Sequence, residues 1–381
     1  MKVLHIITGL GNGGAEGVLY RLCAFDRQSG HQHHVISMMD GGVYAGRLES
    51  AGCSVTCLHM PRGRLTLAGL RLLYQKMRAL QPDVVQTWMY HADLVGGVAA
   101  RLCGIRAVAW GLRHADLDPG RNKRRSLLIA RICARLSSRV PARIACCSEE
   151  AMRTHARLGY SAEKITVIPN GYALAQFQPS NKLRAGVRRD LGLPADRLLV
   201  GMVARWDVQK DHSNLLHALA LVQRSHPAMQ CLLVGAEMTQ DNLSLRRLLT
   251  HTGMAGSVLL LGQRNDIPAI MNALDLHILS SAGEAFPNVL AEAMACGTPC
   301  VATDVGDASL IVGETGWLAP PRNAPCLAQA ILQAISARSM PDEWEQRRKA
   351  CRLRIAQYFE LSHMVAAYHA LWAATRDQPL P

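Results

Sequence analysis

Aromatic side chains are scarce in this chain, 5% of 381 residues with only four Phe. That scarcity argues against a nucleic-acid platform built on base stacking. No apolar run reaches the roughly 18 residues that span a bilayer, so no membrane-crossing helix is predicted. Low-complexity tracts and fixed-period repeats are missing too, which excludes solenoids and extended disorder. Acidic residues are outnumbered, 29 against 42 Lys and Arg, leaving a formal charge of +13. Cysteine is not lacking, at 12 residues, but zinc-finger spacing is. Cys53 and Cys57, or Cys296 and Cys300, stand four apart without a companion Cys/His pair, and Cys146-Cys147 are vicinal in a strand-like stretch. No secretory n-region or cleavage site precedes them, so they read as reduced, mostly buried thiols. The opening MKVLHIITGLGNGGAE is apolar too briefly for a signal peptide and reads as a first strand.

What is present is an alternation of short β-branched runs with longer segments of helical period, in both halves of the chain. This pattern marks parallel α/β sheets, and the length suits two domains. The first half is predicted to place strands near Val3–Thr8, His34–Met38, Ser54–Leu58, Val84–Thr87, Ala107–Gly111, Ile144–Cys147 and Ile165–Pro169. The turn Pro169-Asn170-Gly171 ends that series, and the polar stretch Pro179 to Arg189 reads as a linker. Strands restart near Leu198–Val203, Gln230–Val234, Val258–Leu261, Leu276–Leu279 and Pro299–Thr303, each followed by a loop rich in Gly, Asp or Glu. Ligands of open α/β sheets bind outside the carboxyl ends of strands, so these loops are the place to seek chemistry.

The charge is lopsided. Residues 1–180 hold 23 Lys and Arg against 11 Asp and Glu, whereas the remainder hold 19 against 18. Arg121, Lys123, Arg124 and Arg125 cluster, followed by Arg131, Arg135, Arg139 and Arg143 at near-helical spacing beside Leu127, Leu128, Ile129 and Ile132. Such a basic amphipathic stretch suits an anionic membrane surface or an acidic acceptor, and equally describes a solvated helix face.

Three segments carry candidate chemistry. Gly9-Leu10-Gly11-Asn12-Gly13-Gly14-Ala15-Glu16 lies between a strand and a helix, where glycines let the backbone approach a phosphate at a helix N-terminus. Gly9, Gly11 and Gly14 also fit G-x-G-x-x-G with Asp40 as ribose acid, so a nicotinamide-dependent oxidoreductase is a rival reading. A non-catalytic nucleotide-sugar or membrane-binding module is another. In the second half, Arg205 and Lys210 follow a strand and can neutralise a departing diphosphate. Finally, Glu284-Ala285-Phe286-Pro287-Asn288-Val289-Leu290-Ala291-Glu292 closes a strand and opens a helix that Gly297 ends. Eight positions on one helix amount to about 12 Å of rise. That is too far for the ~5 Å carboxylate pair of a retaining hydrolase, so the two acids are expected to hold different parts of one elongated ligand.

These residues resemble glycosyltransferase family 4, the retaining family of group 1 type, through GGAE at Gly13–Glu16, the Arg205/Lys210 pair, and the E-x7-E element inside EAFPNVLAEAMACGTPCVATDVGD. The resemblance runs nearly end to end. It implies a GT-B fold, two Rossmann-like doubly wound α/β domains facing a central cleft. Residues 1–178 would form the acceptor-binding domain and 190–352 the nucleotide-sugar-binding domain. Residues 353–381 would carry a helix, here Leu353–Ala373, crossing back to the first. It further implies that Gly13 and Gly14 lie near the donor phosphates, that Arg205 and Lys210 clasp them, and that Glu284 bonds the transferred sugar. Glu292 would bind ribose, Phe286, Pro287, Asn288 and Val289 would line the pocket, and Gln263-Arg264 would sit near the base. His114 would contact the donor sugar. The expected reaction passes a sugar, from a UDP-sugar by family habit, to a saccharide or lipid-linked acceptor in cell-surface polysaccharide or lipopolysaccharide synthesis. Neither metal nor cofactor is required in this reading, and nucleic acid is not a partner. The expected location is cytoplasmic, on the inner face of the membrane. Asp304-Val305-Gly306-Asp307 is expected to shape a loop rather than bind metal.

Overall fold

The computed structural model describes residues 1–118 and 123–377. Contacts divide the chain into two units, one of Met1–Gly171 with the segment from Leu361 onward, the other Tyr172–Glu360.

The first unit holds a sheet of seven parallel strands in the order β3-β2-β1-β4-β5-β6-β7. They are β1 (Lys2–Ile7), β2 (Gln32–Ser37), β3 (Ser54–Cys57), β4 (Val84–Trp88), β5 (Val108–Leu112), β6 (Arg143–Cys146) and β7 (Ile165–Val167). Central strands are apolar almost throughout because helices cover both faces. In β1, Val3, Leu4, Ile6 and Ile7 are fully buried. The second unit holds six parallel strands in the order β10-β9-β8-β11-β12-β13. These are β8 (Leu199–Val203), β9 (Gln230–Val234), β10 (Val258–Leu260), β11 (Leu276–Leu279), β12 (Cys300–Thr303) and β13 (Trp317–Ala319). Both orders reverse direction beside their first strand, between β1 and β4 and between β8 and β11. Those are the switch points where crossing helices diverge and leave a crevice at the strand ends.

Among the described residues, twelve of the thirteen strands match those read from the sequence to within two residues at either end; β13, three residues at a sheet edge, has no periodic pattern to betray it. Three differences have physical causes. The supposed linker is a helix, Asn181–Asp190, whose first turn is capped by Ser180 Oγ accepting from Leu183 N at 3.2 Å. Its polar look is misleading, since Arg184 and Arg188 both grip Asp275 at 2.6 and 3.0 Å. Arg188 also donates to the carbonyls of Ala273 and Arg197, so this one guanidinium is buried with its partners while most of the helix stays exposed. Second, the single C-terminal helix is two, Pro341–Tyr358 and Leu361–Asp377. The break falls at Phe359–Glu360, where Tyr172 bridges Glu360 and donates its amide to the Phe359 carbonyl at 3.0 Å. Third, only the latter helix belongs to the first unit, so the chain returns at Leu361 rather than at residue 353. There, Trp372 Nε1 donates to Gln86 Oε1 at 3.1 Å and Tyr368 stacks on Trp88 at 5.7 Å.

Part of the basic stretch forms the helix Arg124–Leu136, but Arg139 lies beyond its end and Arg143 opens β6, so the expected helical run is shorter than its arginine spacing implied. Ala130, Cys133 and Ala134 face inward, while Lys123, Arg124, Arg125, Leu128, Arg131 and Arg135 are exposed. Arg121 lies outside the described residues. Among the described residues, no helix is long and apolar enough to cross a membrane.

Candidate functional site

In the second unit the loops following β8 and β11 meet at the switch point, because those strands are neighbours in the sheet. The β8 loop turns at Asp207, whose carboxylate accepts from the Gln209 amide at 2.9 Å and starts a short helical turn, Val208–Lys210. Burial would raise the Asp207 pKa, but that hydrogen bond and the Arg205 guanidinium outweigh it and hold the carboxyl below its usual range. Asp211 adopts a positive φ of 47° and caps the next helix, His212–Gln223, through Asn214 N.

The β11 loop is tied to this turn at three points. Ser280 Oγ donates to the carbonyls of Lys210 and Asp211 at 2.9 and 3.1 Å, and Ala282 N donates to Gln209 O at 2.7 Å. The third tie is the central one: Lys210 Nζ meets Glu284 Oε1 at 2.5 Å, and Ser281 Oγ donates to the same oxygen at 2.7 Å. Their side chains keep 19% and 13% exposure, enough to reach a ligand at the crevice. Behind them the β12 loop acts as a brace. Gly306 has φ +56°, and a Cβ there would lie 2.5 Å from the carbonyl oxygens of Glu284 and Ala285. Asp307 N donates to Ala285 O at 3.1 Å. The expectation that Asp304–Asp307 shapes a loop therefore matches what these residues touch.

Glu284 precedes the helix, which runs Asn288–Ala295 with Pro287 at its cap, no side-chain cap bond, and the Leu290 amide donating to the Pro287 carbonyl at 3.1 Å. Asn288, Val289 and Glu292 share the less buried side of this helix, whereas Leu290, Ala291, Ala293 and Met294 form its inner side. Asn288 Oδ1 accepts from Tyr172 OH at 2.5 Å, and Phe286 is buried edge-on against Phe359 at 5.6 Å. Phe286 thus fixes the loop from beneath.

Arg205 sits on the same β8 loop, but its side chain turns to Asp207 at 2.8 Å and is 60% exposed. Gln263 and Arg264 follow β10, two strands along from β8, are exposed, and Arg264 is forked onto Asp266 at 2.8 and 2.7 Å. Of the residues singled out from the sequence, Lys210 and Glu284 touch, Asn288, Val289 and Glu292 share one side of the helix that follows Glu284, and Gln263 and Arg264 lie beyond a strand two places along the sheet from β8.

In the first unit the glycine loop follows β1. Gly13 caps the helix Gly14–Phe25, and Glu16 lies in its first turn with its pKa raised by burial. Gly42, at φ +52°, backs this loop so closely that a Cβ would strike the Leu10 carbonyl. Asp40, the ribose acid of the oxidoreductase reading, is 83% exposed and paired with His59 at 2.7 Å. His114 stands two residues beyond β5 and is half-buried.

Three contributors escaped sequence reading. Arg113, adjacent to His114, donates to Asn170 Oδ1 at 2.7 Å and to Tyr368 OH, with its guanidinium 4.6 Å from the Trp88 ring centroid. Ser281 offered only a polar residue at a strand end. Asp93 is fully buried, where its Oδ1 accepts from Thr87 Oγ1 at 2.5 Å and from Gly111 N at 3.1 Å. Burial pushes its pKa up to about 8, against the pull of those two donors. Asp93 therefore fastens β4 to β5 just ahead of Arg113 and His114, in a form that is largely protonated at neutral pH.

Two family models match the chain. One described as Glycosyltransferase Family 4 covers residues 12–176, and one described as Glycosyl transferases group 1 covers residues 197–337. Among curated relatives, the UDP-Gal:alpha-D-GlcNAc-diphosphoundecaprenol alpha-1,3-galactosyltransferase of Escherichia coli is 26% identical over 295 residues, 76% of this chain and 74% of that protein. Among solved structures, HepE of Anabaena in complex with UDP-glucose superimposes with a TM-score of 0.85 at 24% identity, over 98% of this chain and 100% of that one. WaaG, a glycosyltransferase involved in lipopolysaccharide biosynthesis, superimposes with a TM-score of 0.75 at 15% identity, over 97% and 99%.

Proposed function

We infer, from the premise that this chain is a glycosyltransferase belonging to family 4, group 1 type, with the GT-B fold, that it moves a sugar from a UDP-sugar to a saccharide or lipid-linked acceptor, with retention and without a metal. The observation that carries the donor assignment is the Lys210–Glu284 pair at the switch point of the second sheet. An ammonium has three donors, so Lys210 can keep Glu284 and still meet a phosphate oxygen. The amide end of the helix Asn288–Ala295 adds a second positive pole beside it. Arg205, exposed on the same loop, supplies a third charge once it exchanges Asp207 for the diphosphate. Glu284 then accepts a hydroxyl of the transferred sugar and Glu292 accepts the ribose, while Phe286, Pro287, Asn288 and Val289 shape the wall between. Gln263 and Arg264 are assigned to the base, a role their distance along the sheet suits. For the first unit, Gly13 and Gly14 are assigned to the phosphates and His114 to the sugar.

Chemically, the acceptor hydroxyl attacks the anomeric carbon on the face from which the diphosphate departs. Its proton passes to a phosphate oxygen of the leaving group, and the cations stabilise the negative charge released there. The uridine preference is supported by the UDP-glucose bound to HepE. A lipid-linked acceptor, and a place in polysaccharide or lipopolysaccharide synthesis, are supported by the names of the Escherichia coli relative and of WaaG. Docking on the anionic inner face of the cytoplasmic membrane is supported by the exposed Arg124, Arg131 and Arg135 stripe with Leu128 at its centre.

Thermal stabilisation by a panel of nucleotide sugars tests the donor. A UDP-sugar is expected to raise the Tm of the wild type and to lose that effect in Lys210→Met; a panel that leaves the wild type unmoved overturns the assignment. Co-sedimentation with anionic vesicles at low salt tests the surface, and equal binding by an Arg124→Glu, Arg131→Glu, Arg135→Glu variant overturns it.

A further inference from the structure

Far along the chain from these loops, one carboxylate collects three imidazoles. Asp26, 2% exposed just after the helix Gly14–Phe25, accepts from His31 Nδ1 at 3.0 Å and His33 Nε2 at 2.9 Å on one oxygen, and from His369 Nε2 at 2.7 Å on the other. His369 belongs to the helix that returns from Leu361, 343 residues away. The His31 and His369 rings meet edge to face with centroids 4.4 Å apart.

We propose that Asp26, His31 and His369 form a binding site for a zinc-like divalent cation, which clasps the returning helix to the first unit. Their ligand atoms all lie within 4.8 Å of one another. Tetrahedral coordination with bonds of about 2.0–2.1 Å needs ligand atoms about 3.3 Å apart. His31 and His369 now contact different Asp26 oxygens, at 3.0 and 2.7 Å, so an ion held by one oxygen requires one histidine to shift onto that oxygen and both to settle at about 3.3 Å from it. The two histidines have room to do so, at 19% and 31% side-chain exposure. Exposure also leaves the fourth position to water, and each imidazole can keep its one proton on the nitrogen turned away from the ion. One carboxylate oxygen and two imidazole nitrogens are a donor set that suits zinc better than magnesium or calcium.

The surroundings have the second layer that ligands of this kind require. His33 stays bonded to the Asp26 carboxylate and accepts in turn from His5 Nε2 at 2.9 Å, while His5 Nδ1 accepts from Trp88 Nε1 at 3.2 Å. A Trp indole can only donate, so this chain fixes the tautomer of both histidines and aims the carboxylate. Trp372, on the same helix as His369, packs against the rings of His31, His33 and His5. A cavity of about 330 Å³ lined by Arg27, His31, His33 and Cys53 among others adjoins the cluster and gives a hydrated ion a way in.

The test uses the full chain after dialysis against a chelator, titrated with zinc alone by calorimetry. One equivalent should bind with a dissociation constant of about a micromolar or below and raise the Tm. His31→Gln and His369→Gln should each weaken binding at least tenfold and leave turnover unchanged, since neither residue belongs to the donor site. Because Asp26→Asn risks the fold, the partly exposed His31→Gln carries the decision. No stoichiometric binding by the wild type overturns the proposal. So does wild-type affinity in His31→Gln. Loss confined to Cys23→Ser also overturns it, because zinc would then occupy the buried His5, Cys23 and His33 group instead.

Discussion

Replacing Asp93 by Asn should stabilise the first unit at neutral pH and destabilise it in acid. The Asp93 carboxyl is fully buried with its pKa pushed up to about 8, against about 3.9 in an unfolded chain. A folded-state pKa above the unfolded one means that the native protein binds the proton more tightly. Its contribution is therefore full below pH 4, falls by about 1.4 kcal/mol per pH unit between 4 and 8, and is exhausted beyond. At pH 7.5 the wild type has lost about 5 kcal/mol from this group, and at pH 4.5 only about 1. Asparagine has no such dependence. Its amide oxygen can take the Thr87 and Gly111 bonds, but its NH2 enters the position of Asp93 Oδ2, which has no hydrogen-bond partner, at a cost of roughly 1–3 kcal/mol. The difference between variant and wild type should thus swing by about 4 kcal/mol across that window and change sign within it. Amide exchange in β4 and β5, measured for both proteins from pH 4.5 to 7.5, reads the swing directly and cancels every other titrating group. Two stability profiles that run parallel to within about 1 kcal/mol would refute the reasoning.

Lys210→Met and Glu284→Gln should each lower turnover roughly 10²–10³-fold, measured as nucleoside diphosphate release, with the double variant far better than the product of the two losses; turnover within threefold of wild type would remove the pair from the chemistry. Gly306→Ala must move the carbonyls of Glu284 and Ala285 and place a Cβ at φ +56°, so a loss of about 1–3 kcal/mol is expected in urea unfolding together with weaker donor-induced stabilisation. Arg188→Met removes one partner from the buried Asp275 and frees four carbonyl contacts, and should cost about 3–5 kcal/mol, clearly more than Arg184→Met at the partly exposed neighbouring position.

The strands, and the loop residues Lys210 and Glu284 that meet beyond β8 and β11, could be read directly because their signals are local. A buried parallel strand is a short apolar run, and a loop following it either carries glycine, cation and carboxylate or does not. The helix Asn181–Asp190 was illegible for the opposite reason. Arg184 and Arg188 look solvated until Asp275, some 90 residues on, is seen between them. The register of function along the sheet was hidden as well: nothing in the motif following β10 tells that Gln263 stands two strands from Lys210. The imidazole cluster on Asp26 is the extreme case, because its members are unremarkable singly and are united only by the returning helix.

That return has a consequence for how the protein is made. The first 171 residues leave the ribosome with β1 and β4 complete, yet the helix that covers Trp88, His5 and Gln86 is synthesised only after the whole second unit. The later half, by contrast, has every strand of its sheet by residue 319 and its own terminal helix by residue 358. Translation therefore finishes the second unit before the first, and the earlier-born sheet waits with Trp88, His5 and Gln86 uncovered by that helix through the synthesis of all 189 residues from Tyr172 to Glu360.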